Sequence, residues 1–264
     1  MDLDLSYEDF YLEKKRRKIS NPSDDLKAYQ RTKIKVLENT YQRLISGSEI
    51  ENTAHGFIRN RNCAGCAIQH IGFEMTIMLD ISKFFDSVTK EMIETVDFES
   101  AQDKYLFHAE GYTAQGFPTS PILANIASIP MLIQINQFLK QVYKEKYAFT
   151  VYADDIQISI NRIMPLVRRE ENIIINKIIE FANLHNLKIN KNKTRVRYAK
   201  YGFRRILGIN VGEDCIRATR KTMKKIRAAR HQNNNQSLGG LIAWSNCGLP
   251  NKTKHIERKK KEKQ

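Results

Sequence analysis

Phe149-Thr150-Val151-Tyr152-Ala153-Asp154-Asp155-Ile156-Gln157-Ile158-Ser159-Ile160 is the stretch on which the fold turns. Two apolar runs flank Tyr152-Ala153-Asp154-Asp155, which predicts a strand, a tight bend and a second strand over about residues 147–160. Adjacent carboxylates at the tip of a hairpin repel each other unless a cation holds them. A divalent metal suits them, since Mg²⁺ is held by one or two carboxylates while substrate phosphates and water complete its shell. An Asp-Asp turn alone is usually just solvated, so the weight falls on its surroundings.

Upstream, Met75 to Leu79 reads as a buried strand that stops at Asp80. If it lies beside the hairpin, Asp80 and Asp154 converge and could clamp two ions ~3.5–4 Å apart, the arrangement that activates an attacking oxygen and stabilises a leaving pyrophosphate. The plainer reading has Asp80 capping the next helix. Further out, residues 7–37 carry a basic cluster, Lys14 to Lys18, and then an amphipathic helix with Leu26, Tyr29, Ile34 and Leu37 on its apolar face. Ser82 to Val96 has a helical pattern. A second helix starts at Ser120-Pro121 and runs to about Lys146, and a third opens at Pro165 with Ile174, Ile178 and Ala182 as its stripe. Residues 194–199 and 205–211 read as short strands. This order predicts an α+β fold, an antiparallel sheet with helices on one face.

The 264 residues carry 44 Lys and Arg against 29 Asp and Glu, a net charge of +15. Such an excess favours a polyanion, and nucleic acid more than a membrane surface, because no basic amphipathic helix with an aromatic face stands out. Apolar residues make up 41%, enough to fill a core. No apolar run is read as long enough to span a bilayer, and the acidic start lacks a secretory signal, so a cytoplasmic address is the expectation. Of the cysteines, only Cys63-Ala64-Gly65-Cys66 has ligand-like spacing, with His70 beyond it. Without a second ligand pair these read as ordinary buried thiols.

Three stretches together carry a resemblance. Leu79-Asp80-Ile81-Ser82-Lys83-Phe84-Phe85-Asp86, then Gln115-Gly116-Phe117-Pro118-Thr119-Ser120-Pro121-Ile122-Leu123-Ala124-Asn125, then Tyr152-Ala153-Asp154-Asp155 resemble, in order and spacing, the polymerase motifs of bacterial reverse transcriptases, retron-like or associated with phage defence. Leu187-Lys188-Ile189-Asn190-Lys191-Asn192-Lys193-Thr194 is similar to that family's lysine-bearing motif, and Ile206-Leu207-Gly208-Ile209-Asn210-Val211 to its primer grip.

The resemblance implies a right-hand polymerase: fingers over 1–74, a palm over 75–200, primer grip and a short helical thumb over 201–249, and a basic tail over 250–264. It implies two Mg²⁺ ions, with Mn²⁺ able to substitute, held by Asp80, Asp154 and Asp155 and the backbone carbonyl of Ile81. Lys193 would give a proton to the leaving pyrophosphate. Arg17 and Lys15 would grip the triphosphate, Phe85 would act as a steric gate against ribonucleotides, Gln115 and Gly116 would line the nucleotide pocket, and Leu207 and Gly208 would hold the primer. The implied partners are a structured non-coding RNA template, the DNA product and deoxynucleoside triphosphates, with an effector or accessory protein besides and no membrane; anti-phage defence is the analogous role. Two departures bear on the subfamily. Retron enzymes usually show Asn-Ala-x-x-His before the first catalytic strand and Val-Thr-Gly near the primer grip, whereas this chain has Cys66-Ala67-Ile68-Gln69-His70 and Ile206-Leu207-Gly208. The competing readings are a template-independent or protein-primed polymerase on the same scaffold, and a silent RNA-binding sheet. The last would need exposed aromatics in mid-sheet where this chain offers carboxylates.

Overall fold

The computed structural model describes residues 3–13, 17–144, 146–161 and 170–246. The first described elements form a hairpin, β1 (Tyr7–Leu12) paired antiparallel to β2 (Arg17–Pro22), in the region expected only to carry a basic cluster. β1 is almost wholly exposed, β2 buries only Ser20 and Pro22, and neither strand shows hydrophobic alternation, so the sequence carries no periodic signal for them. Polar contacts seat it instead. Asp9 accepts from Ser20 Oγ at 2.6 Å and pairs with Lys18 at 3.0 Å, and His108 Nε2 lies 3.0 Å from the same carboxylate. Burial opposes the Asp9 charge, yet the hydrogen bonds from Ser20, His108 and Lys18 bring its pKa down to about 2.

Helix α1 (Asp24–Ile45) is the predicted amphipathic helix; Ser23 caps it by accepting from the Leu26 N–H, and Asp24 and Asp25 favour its positive end. A short α2 (Cys63–Ile68), capped by Asn62, leads to β3 (Met75–Asp80). The single helix expected from Ser82 to Val96 is instead α3 (Phe84–Ser87) and α4 (Lys90–Glu94). The break falls at Val88-Thr89, where the Thr113 N–H donates to the Val88 carbonyl and Thr89 bridges Tyr112, so β-branched residues give up helical bonds for a strand-like contact. After α5 (Phe98–Gln102) comes the long α6 (Ser120–Tyr143), with Pro121 in its first turn. Then follow β4 (Tyr147–Tyr152), β5 (Asp155–Ile160), α7 (Glu170–Leu184) and β6 (Arg195–Tyr198). The expected start of α7 at Pro165 lies outside the described residues. The run 205–211, expected as one strand, is a hairpin, β7 (Arg204–Ile206) and β8 (Ile209–Val211), turning on Leu207 and Gly208 at φ 47° and 79°. Two left-handed residues match the twist of a two-residue hairpin turn. β9 (Ile216–Ala218), α8 (Arg220–His231) and α9 (Asn235–Asn246) complete the described chain.

Strands β4-β5-β3-β6 form one antiparallel sheet, as expected. One face is apolar: Met75, Ile77, Leu79, Phe149, Val151, Ile156, Ile158 and Ile160 join Leu123, Ile126 and Ile135 of α6 and Ile174 and Ile178 of α7 in a single core. Each such side chain contributes roughly 1.5–3 kcal/mol on burial. Helix α6 is, by length and composition, apolar enough to cross a bilayer, which corrects the reading that no such run exists. In this fold 72% of its apolar window is buried, as in the core helix of a globular domain.

The opposite face is polar and covered by α2 and the β7-β8-β9 sheet, which is unlike the one-sided layer expected. A chain of donors runs across it in one sense. Arg204 Nη1 donates to Thr76 Oγ1 (3.1 Å), Thr76 to Ser159 (2.6 Å), Ser159 to His70 Nδ1 (2.8 Å), His70 Nε2 to Thr150 (2.7 Å) and Thr150 to Gln157 Oε1 (3.1 Å). Guanidinium can only donate and an amide oxygen only accept, so the two ends set the direction and leave neutral His70 with its proton on Nε2. Cys66 Sγ joins at Thr150, 3.0 Å away. Protonating His70 would break the chain at Ser159. Burial, with the Arg204 charge behind it, lowers the His70 pKa to about 3, and burial with Arg61 lowers His55 to about 4.

Both histidines titrate below their unfolded value, so the unfolded chain gains protons that the folded one refuses as pH falls under about 6.5. Asp154 and Asp155, whose pKa values are raised, act in the opposite sense. An Asp154→Asn, Asp155→Asn double variant removes that opposition, leaving His70 and His55, with His185 lowered by burial in the same sense, against Asp86 raised by burial. Urea unfolding is then expected to show a loss of ~2–3 kcal/mol between pH 6.5 and 5. A flat profile would contradict neutral burial of the two rings.

Candidate active site

The end of β3 and the start of β5 lie side by side, with Asp80 registered against Asp155. The Ile81 N–H donates to the Asp154 carbonyl at 2.8 Å, which ties the turn to the strand that carries Asp80. Asp80 therefore does not cap α3, whose N-cap position is held by the left-handed Lys83 (φ 48°) with no side-chain cap. All three carboxylates feel one another. Burial first, then the Asp80 charge, raises the Asp154 pKa against the pull of Lys193 and Arg17. Burial with Asp154 and Asp80 pushes Asp155 up to about 6.

Asp80 is buried; its Oδ2 pairs with Lys193 Nζ at 2.8 Å, and its Oδ1 is buried with no hydrogen-bond partner among the described residues. Among those residues no three Asp, Glu, His or Cys side chains are grouped so as to hold a metal ion by themselves. Mg²⁺ does not require such a group, since water and substrate phosphates fill most of its shell. An orphaned buried oxygen and two carboxyls carrying uncompensated repulsion are what such an ion would relieve, so the donor set fits.

Backbone contacts hold the turn in place. The Val151 N–H donates to Thr53 O at 2.9 Å and the His55 N–H to Val151 O at 2.8 Å, so residues 53–55 lie along the outer edge of β4. Gly56 follows, and a Cβ there would stand 2.4 Å from the Ala153 nitrogen. The Asn125 amide donates to the Gly56 carbonyl at 3.0 Å. Ala153 itself is left-handed, φ 55°. Gly56 and Asn125 thus position the aspartates. Neither was singled out for that work in the sequence, although Asn125 closes the quoted Gln115–Asn125 motif.

The other named residues fall around this point. Phe84 is buried in the core, while Phe85 is half-buried, its ring 6.1 Å from that of Phe57 and 5.7 Å from Phe84. Arg17, exposed on β2, is near enough for its charge to act on Asp154. Lys15 lies outside the described residues. The Gln115 carbonyl accepts from the Ser20 N–H at 2.9 Å, docking the β1–β2 hairpin on the loop before α6. At Gly116 φ is +123° and a Cβ would fall 2.2 Å from the Ser20 carbonyl oxygen, so the close approach needs glycine. Gly116→Ala should push the hairpin off this loop and raise the KM for nucleotide ~10-fold or more with a smaller change in kcat. Steady-state extension kinetics would show it; an unchanged KM would separate the hairpin from nucleotide binding. Leu207 and Gly208 form the β7–β8 turn, while Arg204 behind them is fully buried and binds the carbonyls of His70 and Gly212.

The profile of the reverse transcriptase (RNA-dependent DNA polymerase) family matches residues 8–226. The chain belongs to the reverse transcriptase family. Among its relatives, the retron Mx162 reverse transcriptase of Myxococcus xanthus is 27% identical over 252 residues, covering 82% of this chain and 50% of that protein. The retron Mx65 reverse transcriptase of the same organism is 25% identical over 279 residues, covering 93% and 61%, so the chain spans roughly half of these relatives' length. The retron Ec86 reverse transcriptase of Escherichia coli is 25% identical, covering 83% and 66%. The fold is shared with telomerase. A structure from Candida tropicalis in complex with a fragment of telomeric RNA superposes with a TM-score of 0.58 at 10% identity, covering 93% of this chain and 53% of that one. One from Candida albicans gives 0.55 at 13% identity, covering 77% and 43%. These likenesses bear out the α+β polymerase fold of a reverse transcriptase.

Proposed function

We propose that this chain is the polymerase core of an RNA-directed DNA polymerase that copies an associated structured RNA into DNA. The observation that carries the proposal is the meeting of Asp80 with Asp154 and Asp155 at one end of the sheet, with charge left uncompensated. Bound by these carboxylates and the Ile81 carbonyl, two Mg²⁺ ions, or Mn²⁺ in their place, would activate the primer hydroxyl and neutralise charge on the departing pyrophosphate. Lys193 neutralises Asp80 in the free protein, and in the reaction it would hold a proton at Nζ for pyrophosphate. Arg17 would clamp the triphosphate as a planar fork. The Gln115–Gly116 backbone, set by Ser20, would form the floor beneath the incoming sugar. Phe85, pinned between Phe57 and Phe84, would crowd a 2′-hydroxyl. Leu207 and Gly208 would support the primer strand. An RNA that serves as template, an accessory protein and a part in anti-phage defence complete the proposal by likeness to retron enzymes.

The test is primer extension on an annealed RNA template with Mg²⁺, beside a DNA template and no template. Templated product on RNA supports the reading; homopolymer made without template would favour the untemplated alternative. In the same assay Phe85→Val should raise ribonucleotide incorporation ~10²-fold relative to deoxyribonucleotide, because the clash that rejects the extra hydroxyl is gone. Unchanged discrimination would remove Phe85 from the gate.

A further inference from the structure

At the far end of the same sheet lies a second cluster of rings and cations. Tyr198 ends β6 opposite Met75, so it stands five residues along β3 from Asp80, about 17 Å at strand rise. The single-turn helix Ala199–Tyr201 that follows is fastened to the start of β3 by the Ala199 N–H donating to the Glu74 carbonyl at 2.7 Å, and is closed by Gly202 at φ 104°. The Tyr198 ring packs on the palm core. Tyr201 meets it edge-on, centroids 6.1 Å apart, and is 78% exposed. Lys200 Nζ sits over both rings, at 5.9 and 5.0 Å. Phe203 is 42% exposed with the Arg217 guanidinium 3.7 Å above its centroid. Beside Lys200 and Phe203 opens a cavity of about 410 Å³ whose wall also includes Glu74 and Glu213.

Cations held over aromatic rings can serve phosphate and π-face together. Aromatic platforms edged by Lys and Arg are how proteins hold unpaired strands without reading sequence. We propose that this surface is a second nucleic-acid site, which takes an unpaired strand with one base stacked on Tyr201 and the backbone on Lys200 and Arg217. Glu74 and Glu213 keep phosphate out of the cavity and suit base amino groups. The site would hold a single-stranded segment outside the catalytic cleft. The inference does not depend on polymerase activity.

The experiment is fluorescence anisotropy with fluorescein-labelled oligo(A) of about ten nucleotides, as RNA and as DNA, added to the full chain whose cleft is saturated with unlabelled blunt RNA–DNA duplex. Saturable binding of either strand is expected, and the comparison shows which source is preferred. The Lys200→Ala, Tyr201→Ala double variant should weaken it ~10-fold or more while Tyr201→Phe retains it. Extension of a pre-annealed primer should not change in either. Asp154→Asn should bind the oligonucleotide like the parent, which separates failure of this inference from failure of the polymerase reading. Parental affinity in the double variant, loss of all binding once duplex is added, or equal competition by an oligoglutamate peptide would each overturn it.

Discussion

Asp154→Asn is expected to lower deoxynucleotide incorporation by at least ~10³-fold while leaving affinity for an RNA–DNA duplex within about two-fold. The substitution is isosteric and removes one charge from three that crowd together. The lost charge is the one a catalytic ion would need, so the chemical step loses several kcal/mol of stabilisation. Duplex is held by the basic surface through its backbone and should be indifferent. A second consequence separates this cause from misfolding. Asp80 raises the Asp154 pKa, and Asp154 in turn raises that of Asp155, so the free protein carries a repulsion that asparagine relieves. Melting in EDTA near neutral pH should therefore occur at the same or a higher temperature than in the parent. Full extension activity in the variant would sink the metal assignment, and a lower melting temperature would sink the electrostatic account.

Gly56→Ala should act on the same step without touching a carboxylate. Its Cβ would press on the Ala153 nitrogen at 2.4 Å and on the Tyr152 carbonyl carbon at 3.1 Å, both backbone atoms with little room to give. The turn must then shift by a fraction of an ångström to an ångström, and displacement on that scale costs ~10² in rate when reacting groups are misplaced. The loss should appear in kcat, with KM for nucleotide little changed, because Ser20, Gln115 and Gly116 are not displaced. Single-turnover extension checks this. A parental rate would mean that the turn tolerates the shift.

Much of this architecture was legible in the chain. The hairpin around Asp154 and the strand ending at Asp80 announce themselves by unbroken apolar runs stopped by carboxylates, and the structure pairs them. The roles given to Phe85, Gln115 and Lys193 came through resemblance, not from periodicity. What stayed hidden had no local signature. The β1–β2 hairpin is held by polar contacts to residues such as His108, 99 positions from Asp9. Lys193 meets Asp80 across 113 residues. Gly56 reads as any loop glycine until Ala153 is laid against it. Arg204 looks like a surface cation between strands, yet it is buried because Thr76 and two carbonyls take up its donors. The break of the expected 82–96 helix likewise came from Thr113 and Tyr112, partners that no window of neighbouring residues contains.

The one-way relay beneath the sheet carries a lesson for heredity. Since every hydroxyl from Thr76 to Thr150 gives its proton onward, a change at one link leaves an orphan at the next, and such effects do not add. Grafting a single relative's residue into position 66, 70 or 204 should cripple folding. Transplanting the whole string at once should be tolerated, so lineages are expected to exchange these residues as a block.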